Sequence, residues 1–128
     1  MVNLKFGYYN LLKTSYKTNQ QIHNYINQDN QVFQSFLDIE QDQDFKQFYI
    51  TIDTHTNNFL GYMIVNKRDS LIYCINTRVP KLNISKLMID NYEKKYNKTL
   101  IPVDIIHSSK NYWKKIGKLE LSEKIKIK

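Results

Sequence analysis

Apolar residues alternate with more polar ones in the middle of this chain, and the pattern changes its period on either side. The stretch 48–52 alternates before a polar turn, which predicts a strand. Two further strands are predicted at 59–65 and 71–77, with a second polar turn between them. Because such short connections cannot carry a parallel crossover, the three strands should form an antiparallel meander.

The residues before the meander predict a short strand and two helical pieces. The first strand is expected at 3–9, where apolar side chains share one side. Thr18 is a suitable N-cap for a helix over 18–28, whose apolar residues are spaced three and four apart. A second helical piece is predicted at 32–37, followed by an acidic loop at 38–44.

After the meander the period becomes helical. After Pro80, a stripe with helical spacing predicts a helix that ends near Asn97; its residues are Ile84, Leu87, Met88, Asn91 and Tyr92. The apolar run 100–106 then has the composition of a strand. A helix between two strands of one sheet is a crossover, and crossovers join parallel strands with a right-handed connection. We therefore expect 71–77 and 100–106 to lie parallel.

The last predicted elements are a short helix and a strand. Ser108 or Ser109 can cap a helix that runs through Ile116. Gly117 suits the position just after that helix, because glycine adopts positive φ without strain. The alternating residues from Leu119 onward predict a final strand.

Length and composition indicate one folded domain. The 128 residues are 41% hydrophobic and 24% charged, and no repeat or linker divides them, so residues 1–128 are predicted as a single domain. No apolar run is long enough to cross a bilayer, and no signal peptide is recognisable, so we expect a cytoplasmic protein without membrane contact. A single cysteine, Cys74, and three scattered histidines predict neither a disulfide nor a metal site.

The net charge of +7 is concentrated in the second half of the chain. Residues 1–60 carry 4 lysines against 6 acidic residues, whereas residues 61–128 carry 15 basic against 6 acidic residues. Such a field attracts nucleic-acid phosphates or a small polyphosphate such as coenzyme A. The alternative is that these lysines are only solvated residues on helix faces.

The predicted order of elements resembles that of the GNAT superfamily of acyl-CoA-dependent N-acetyltransferases. Segment 111–117, NYWKKIG, is similar to the family's aromatic (F/Y)-Y-x-K-x-G-F helix end, and segment 59–65, FLGYMIV, is similar to its L-G-x-hydrophobic third strand. The resemblance covers about residues 45 to 120. It implies an α+β fold with a mixed, mostly antiparallel sheet, one parallel crossover and flanking helices.

The resemblance also implies a substrate and a reaction. Members move an acetyl group from acetyl-CoA to an amine of a protein, a peptide or a small molecule. In the family, the two strands that the central helix connects separate from each other. The gap between them is a slot that accepts the pantetheine arm like an extra strand.

The phosphate-binding loop departs from the family pattern. The family reads (Q/R)-x-x-G-x-(G/A) where this chain reads RVPKLN at 78–83, which keeps the first residue and lacks both glycines. Side chains must then replace backbone amides as phosphate ligands. The alternative for this loop is an ordinary helix start after a proline. The candidate coenzyme-binding residues are Asn76, Arg78, Lys81, Asn83, Ser85 and Lys86.

The candidate catalytic residues are Tyr112, His107 and Asp104. The family's thiolate-protonating tyrosine corresponds to Trp113, which has no hydroxyl, and Tyr112 beside it points about 100° away around the helix. His107 follows the strand 100–106 and is a candidate base. Asp104 is a candidate base or amine ligand. Their ordinary alternatives are a packed aromatic, a surface histidine and a carboxylate paired with a lysine.

Two other functional classes stay open. One is a GNAT-like protein that has lost acetyl transfer and binds nucleic acid or a protein partner; the missing glycines and the basic second half favour it. Its base-stacking candidates are Tyr92, Tyr96, Tyr112 and Trp113. The other class is a small protein that inhibits an enzyme by binding to its surface.

Overall fold

The computed structural model describes residues 3–27, 46–78, 83–103 and 110–119. In these ranges the chain forms a five-stranded sheet in the order β1-β2-β3-β4-β5 with helices packed on it. The strands are β1 Leu4–Tyr8, β2 Lys46–Asp53, β3 Asn58–Asn66, β4 Leu71–Thr77 and β5 Ile101–Pro102. The helices are α1 Tyr16–Asn27, α2 Ile84–Tyr96 and α3 Lys110–Lys115.

The strand pairing confirms the predicted antiparallel meander and the parallel crossover. Strands β1 to β4 pair consecutively and antiparallel. Strand β5 pairs parallel to β4, with Leu71 opposite Ile101 and Ile72 opposite Pro102. The fold is therefore α+β, with a mostly antiparallel sheet and one parallel pair.

Each face of the sheet buries its own core, because side chains alternate between the two faces of a strand. On one face, residues of α2 pack on the sheet together with Leu100 and Trp113. On the opposite face, Ile22 of α1 packs against strand residues. The strand residues of the α2 face include Tyr8, Tyr49, Met63, Val65 and Ile72. Those of the α1 face are Phe48, Ile50, Ile52, Phe59, Tyr62 and Ile64.

Helix α1 begins earlier than the sequence predicts, and Thr18 is not its cap. The Thr18 backbone N–H donates to the Ser15 hydroxyl over 3.1 Å, which makes Ser15 the N-cap. Thr18 lies in the first turn, and its buried hydroxyl donates to the carbonyl of Asn57 over 2.6 Å. Ser15 and Thr18 both have side chains that can cap a helix. Because the Thr18 hydroxyl bonds to the β2–β3 turn, Ser15 is the N-cap.

Helix α2 confirms the central predicted helix, with one correction to its apolar stripe. Ile84, Met88 and Tyr92 are buried against the sheet. Leu87, which the spacing placed on the same stripe, is 42% exposed. The helix ends at Asn97, which adopts the left-handed conformation with φ of 51°.

The end of α3 confirms the role predicted for Gly117. Its φ is 78°, and its N–H donates to the Lys114 carbonyl over 3.1 Å. The N–H of Lys118 donates to the Trp113 carbonyl over 2.9 Å, which completes a Schellman motif. Leu119, predicted to begin a strand, has helical backbone conformation instead.

Several predictions fall on residues that the structure does not describe. They are the helical piece 32–37, the acidic loop 38–44, the strand beyond Val103, the caps Ser108 and Ser109, and the run after Leu119. Within the described ranges, no helix combines the length and the apolar content required to span a bilayer.

A side chain at position 61 of β3 would meet the backbone of β4. A Cβ atom at Gly61 would lie 2.8 Å from the backbone oxygen of Asn76, whereas a Cβ at Gly7 would lie 2.8 Å from the mobile end of the Leu12 side chain. Backbone cannot move aside as a side chain can. We expect Gly61→Ala to lower the free energy of unfolding by about 2 kcal/mol and the matched Gly7→Ala by less than about 1 kcal/mol. Urea denaturation measures both, and equal losses would contradict the steric argument.

Candidate functional site

The predicted coenzyme site centres on the first turn of α2. Asn83, immediately before the helix, is exposed and left-handed with φ of 53°, and its side chain makes no capping hydrogen bond. The first turn contains no acidic residue. The backbone N–H groups at a helix N-terminus carry partial positive charge. This end of α2 is therefore electrostatically suited to an anion.

Tyr112 of α3 reaches the same turn. Its hydroxyl donates to the Ser85 hydroxyl over 2.7 Å, so α3 is held against the start of α2. Burial raises the pKa of Tyr112, and the hydrogen bond with Ser85 opposes that rise. The phenol therefore keeps its proton at neutral pH and can donate it.

Trp113, which the resemblance noted from the sequence aligns with a tyrosine, lies in the core of the α2 face and is 6% exposed. The ring of Tyr112 packs edge-on against it, with 5.0 Å between the ring centroids. Adjacent residues of a helix point in different directions, so Trp113 points into the core while the Tyr112 hydroxyl lies at the first turn of α2. The sequence showed that the two side chains diverge, but not which one meets α2.

Lys86 also lies in the first turn of α2, but its charge is already paired. Its ammonium lies 2.9 Å from a carboxylate oxygen of Asp90, one turn further along the helix. The hydrogen bond to Asp90 raises the pKa of Lys86. Because Lys86 is exposed, its side chain can move. To contact an anion, its ammonium must leave Asp90.

Arg78 follows directly after β4. Its backbone N–H donates to the Leu60 carbonyl over 2.7 Å, and its guanidinium donates to the Phe59 carbonyl over 3.3 Å. The residue is exposed. Both bonds go to the start of β3, so the structure places this guanidinium beside β3 rather than beside Ser85.

Asn76 lies on the other face of the sheet from Ser85. Its amide donates to the Tyr62 hydroxyl over 2.9 Å and contacts the Cys74 sulfur at 3.4 Å. Tyr62 and Cys74 belong to the core beneath α1. The structure therefore separates Asn76 from the residues around the start of α2.

The structure brings together four of the predicted site residues, Asn83, Ser85, Lys86 and Tyr112. Lys81, Asp104 and His107 lie outside the described residues, so their roles stay predictions.

A β-bulge in β4 is a feature of the candidate site that the sequence pattern did not predict. Ile64 of β3 lies opposite Cys74 and Val65 lies opposite Ile72, so Tyr73 is an extra residue in β4. The described pairing of β4 with β5 ends just before it, at Ile72, whose carbonyl accepts from the N–H of Val103 over 3.0 Å. No glycine or proline in 71–77 signals the bulge.

The structure also limits which aromatic residues can contact nucleic acid. Tyr92 is 1% and Trp113 is 6% exposed, so neither ring can stack on a base. Tyr96 and Tyr112 are partly exposed.

The chain was compared with known protein families, curated proteins and solved structures. No family model, no curated protein and no solved structure matches the chain.

Proposed function

We propose that this protein is an acyltransferase that moves an acetyl group from acetyl-CoA to an amine. The observation that carries the proposal is the bulge of β4 at Tyr73, directly after the last described pair with β5. A bulge bends its strand and interrupts the regular ladder. It therefore supports a slot beside β4 that a pantetheine arm can enter.

The bulge also changes which backbone groups of β4 face outward. Before it, Ile72 presents its carbonyl to β5. After it, Arg78 donates to β3. Because successive residues of an antiparallel strand bond to opposite sides, Ile75 and Thr77 present their N–H and C=O groups away from β3. Pantetheine contains two amide groups, which these outward groups can bond as they would a neighbouring strand.

The start of α2 supports the binding of the coenzyme's phosphates. Asn83 leaves the first-turn N–H groups without a side-chain cap, and the helix dipole favours an anion there. Lys86 adds a cation once it leaves Asp90. This arrangement substitutes for the glycine-rich loop that the chain lacks.

In the reaction, the neutral amine attacks the thioester carbonyl and forms a tetrahedral intermediate. That intermediate collapses with loss of the C–S bond, the nitrogen gives up a proton to a base or to water, and the coenzyme thiolate takes a proton. We assign the donor of this last proton to Tyr112, whose hydroxyl leaves Ser85 and turns towards the slot beside β4 when the coenzyme binds. Its phenol is protonated at neutral pH because burial raises its pKa.

Acetyl-CoA binding tests the proposal directly. Saturating acetyl-CoA should raise the melting temperature by about 4 °C or more, because a ligand of the folded state stabilises it. Adenosine 3′,5′-bisphosphate, which has phosphates but no pantetheine, should give a smaller rise. The absence of any shift with acetyl-CoA would overturn the proposal.

Tyr112→Phe then tests the mechanism. Thiol release from acetyl-CoA, measured with lysine peptides, polyamines and small primary amines, should fall about 100-fold. The shift in melting temperature caused by acetyl-CoA should stay unchanged. Tyr16→Phe is the matched control, because Tyr16 is 78% exposed and lies at the start of α1. Equal turnover in both variants would remove Tyr112 as the proton donor.

A further inference from the structure

Four lysines of the chain's second half lie at the end of the sheet opposite to the start of α2. Lys67 lies in the β3–β4 turn, Lys94 and Lys95 in the last turn of α2, and Lys98 just after that helix. We call these four residues the basic end. All four are exposed.

Direct contacts hold the basic end together. The Lys98 ammonium donates to the Lys67 carbonyl over 3.1 Å, which joins the β3–β4 turn to the end of α2. The Lys67 ammonium lies 5.7 Å from the centre of the Tyr8 ring, and the Lys95 ammonium lies 5.5 Å from the centre of the Tyr96 ring. Those two rings are 5.6 Å apart, so a short chain of contacts links Lys67 with Lys95.

The charge of the basic end is not neutralised within the described residues. The carboxylates on the elements that form it are paired elsewhere. Asp69 lies 3.3 Å from Arg68, Asp90 lies 2.9 Å from Lys86, and Glu93 lies 2.8 Å from Lys118. In the described part of the chain, the ion pairs include none with Lys67, Lys94, Lys95 or Lys98. The surface therefore projects a positive field into solvent.

We infer that the basic end binds the phosphate backbone of nucleic acid. Uncompensated lysines on a rigid surface attract phosphates and release the counterions condensed on them. The tyrosines beneath are buried except for Tyr96, so base stacking contributes little and sequence preference should be weak.

An anionic membrane is the less favoured partner. Membrane-surface binding combines basic charge with apolar side chains that enter the lipid. Among the described residues, the large apolar side chains that are most exposed are Leu11, Tyr16 and Leu87. They belong to the loop after β1, to the start of α1 and to the first turn of α2, and none is part of the basic end.

The test compares two triple variants with the same change in net charge. Lys94→Gln/Lys95→Gln/Lys98→Gln removes three charges from the basic end. Lys110→Gln/Lys114→Gln/Lys115→Gln removes three exposed charges from α3. Fluorescence anisotropy with a labelled DNA duplex of arbitrary sequence, at several salt concentrations, gives the dissociation constant and its salt dependence.

The basic-end variant should bind the duplex at least about 10-fold more weakly. The slope of its plot of log K against log salt concentration should be smaller in magnitude by about 2 to 3 units. The α3 variant should lose less than about 3-fold. Circular dichroism checks that both variants remain folded.

Three results would overturn the inference. The first is no duplex binding by the wild-type protein at low salt. The second is an equal loss in both variants, which would mean that only net charge matters. The third is tighter binding to phosphatidylserine vesicles than to DNA, which would assign the surface to lipid. None of these results depends on whether acetyl-CoA binds.

Discussion

Replacing Lys118 with methionine should lower the free energy of unfolding by about 2 to 3 kcal/mol, because it breaks a partly buried charge pair. Lys118 is 7% exposed, and its ammonium donates to Glu93 over 2.8 Å and to the Leu100 carbonyl over 2.5 Å. The same Glu93 oxygen accepts from the backbone N–H of Leu100 over 2.7 Å. One ammonium thus joins α2, the segment entering β5 and the segment that follows α3. Methionine has a similar length but leaves a carboxylate and a carbonyl without their partner.

A second substitution separates the lost charge pair from lost packing. Glu93→Gln/Lys118→Met keeps an acceptor for the Leu100 N–H and removes the unpaired charge, so it should be more stable than Lys118→Met by about 1 kcal/mol or more. Lys114→Met is the control, since Lys114 is exposed in the last turn of α3. It should change stability by less than about 0.5 kcal/mol. If urea denaturation finds Lys118→Met no worse than this control, the pair contributes nothing measurable.

Raising the pH above about 10, the ordinary pKa of tyrosine, should destabilise the protein steeply. Burial raises the pKa of the phenols of Tyr8, Tyr49 and Tyr62 well above that value. The Tyr8 and Tyr92 hydroxyls, which lie 2.5 Å apart, also hydrogen-bond each other in the core. These phenols remain protonated in the folded state, while the unfolded chain loses its phenolic protons.

The sign follows from proton counting. A raised pKa contributes stability that is fully present below about pH 10 and is lost as the pH rises towards the folded-state value. Each such phenol costs about 1.4 kcal/mol per pH unit above 10, so three of them cost about 4 kcal/mol per unit. A domain of ordinary stability, about 5 to 15 kcal/mol, should then unfold within about one to four pH units.

Parallel titrations measure this effect. Tyrosinate absorbance and far-ultraviolet circular dichroism, followed from pH 7 upward, should show a cooperative loss of structure together with ionisation of the buried phenols. Tyr8→Phe/Tyr92→Phe removes two buried phenols and should flatten the loss of stability with pH, whereas the exposed Tyr16→Phe should not. Ionisation of all ten tyrosines with the circular dichroism still native would contradict the assignment.

Local patterns predicted most of the described fold because they reflect local physics. The alternating residues of 48–52 and the helical stripe after Pro80 each report which face an element buries, and short turns exclude parallel pairing. Gly117 was predictable because few residues adopt its positive φ. The crossover between β4 and β5 followed from the order of elements alone.

The errors arise where two local solutions are nearly equal. Ser15 and Thr18 both suit an N-cap, and the contact of Thr18 with the carbonyl of Asn57 selects Ser15. Leu87 has the spacing of a core residue, but the width of the contact between α2 and the sheet leaves it exposed. Leu119 reads as part of a strand but has helical backbone conformation.

The sequence by itself determined the elements, their order and the excess of positive charge, because period, turn length and charge are properties of neighbouring residues. Only the tertiary structure decided that Tyr112 and not Trp113 meets the first turn of α2, and that Asn76 lies on the opposite face. It alone placed the bulge at Tyr73 and joined Lys67 to Lys98. These contacts join residues far apart in the chain, and no local pattern encodes the distances between them.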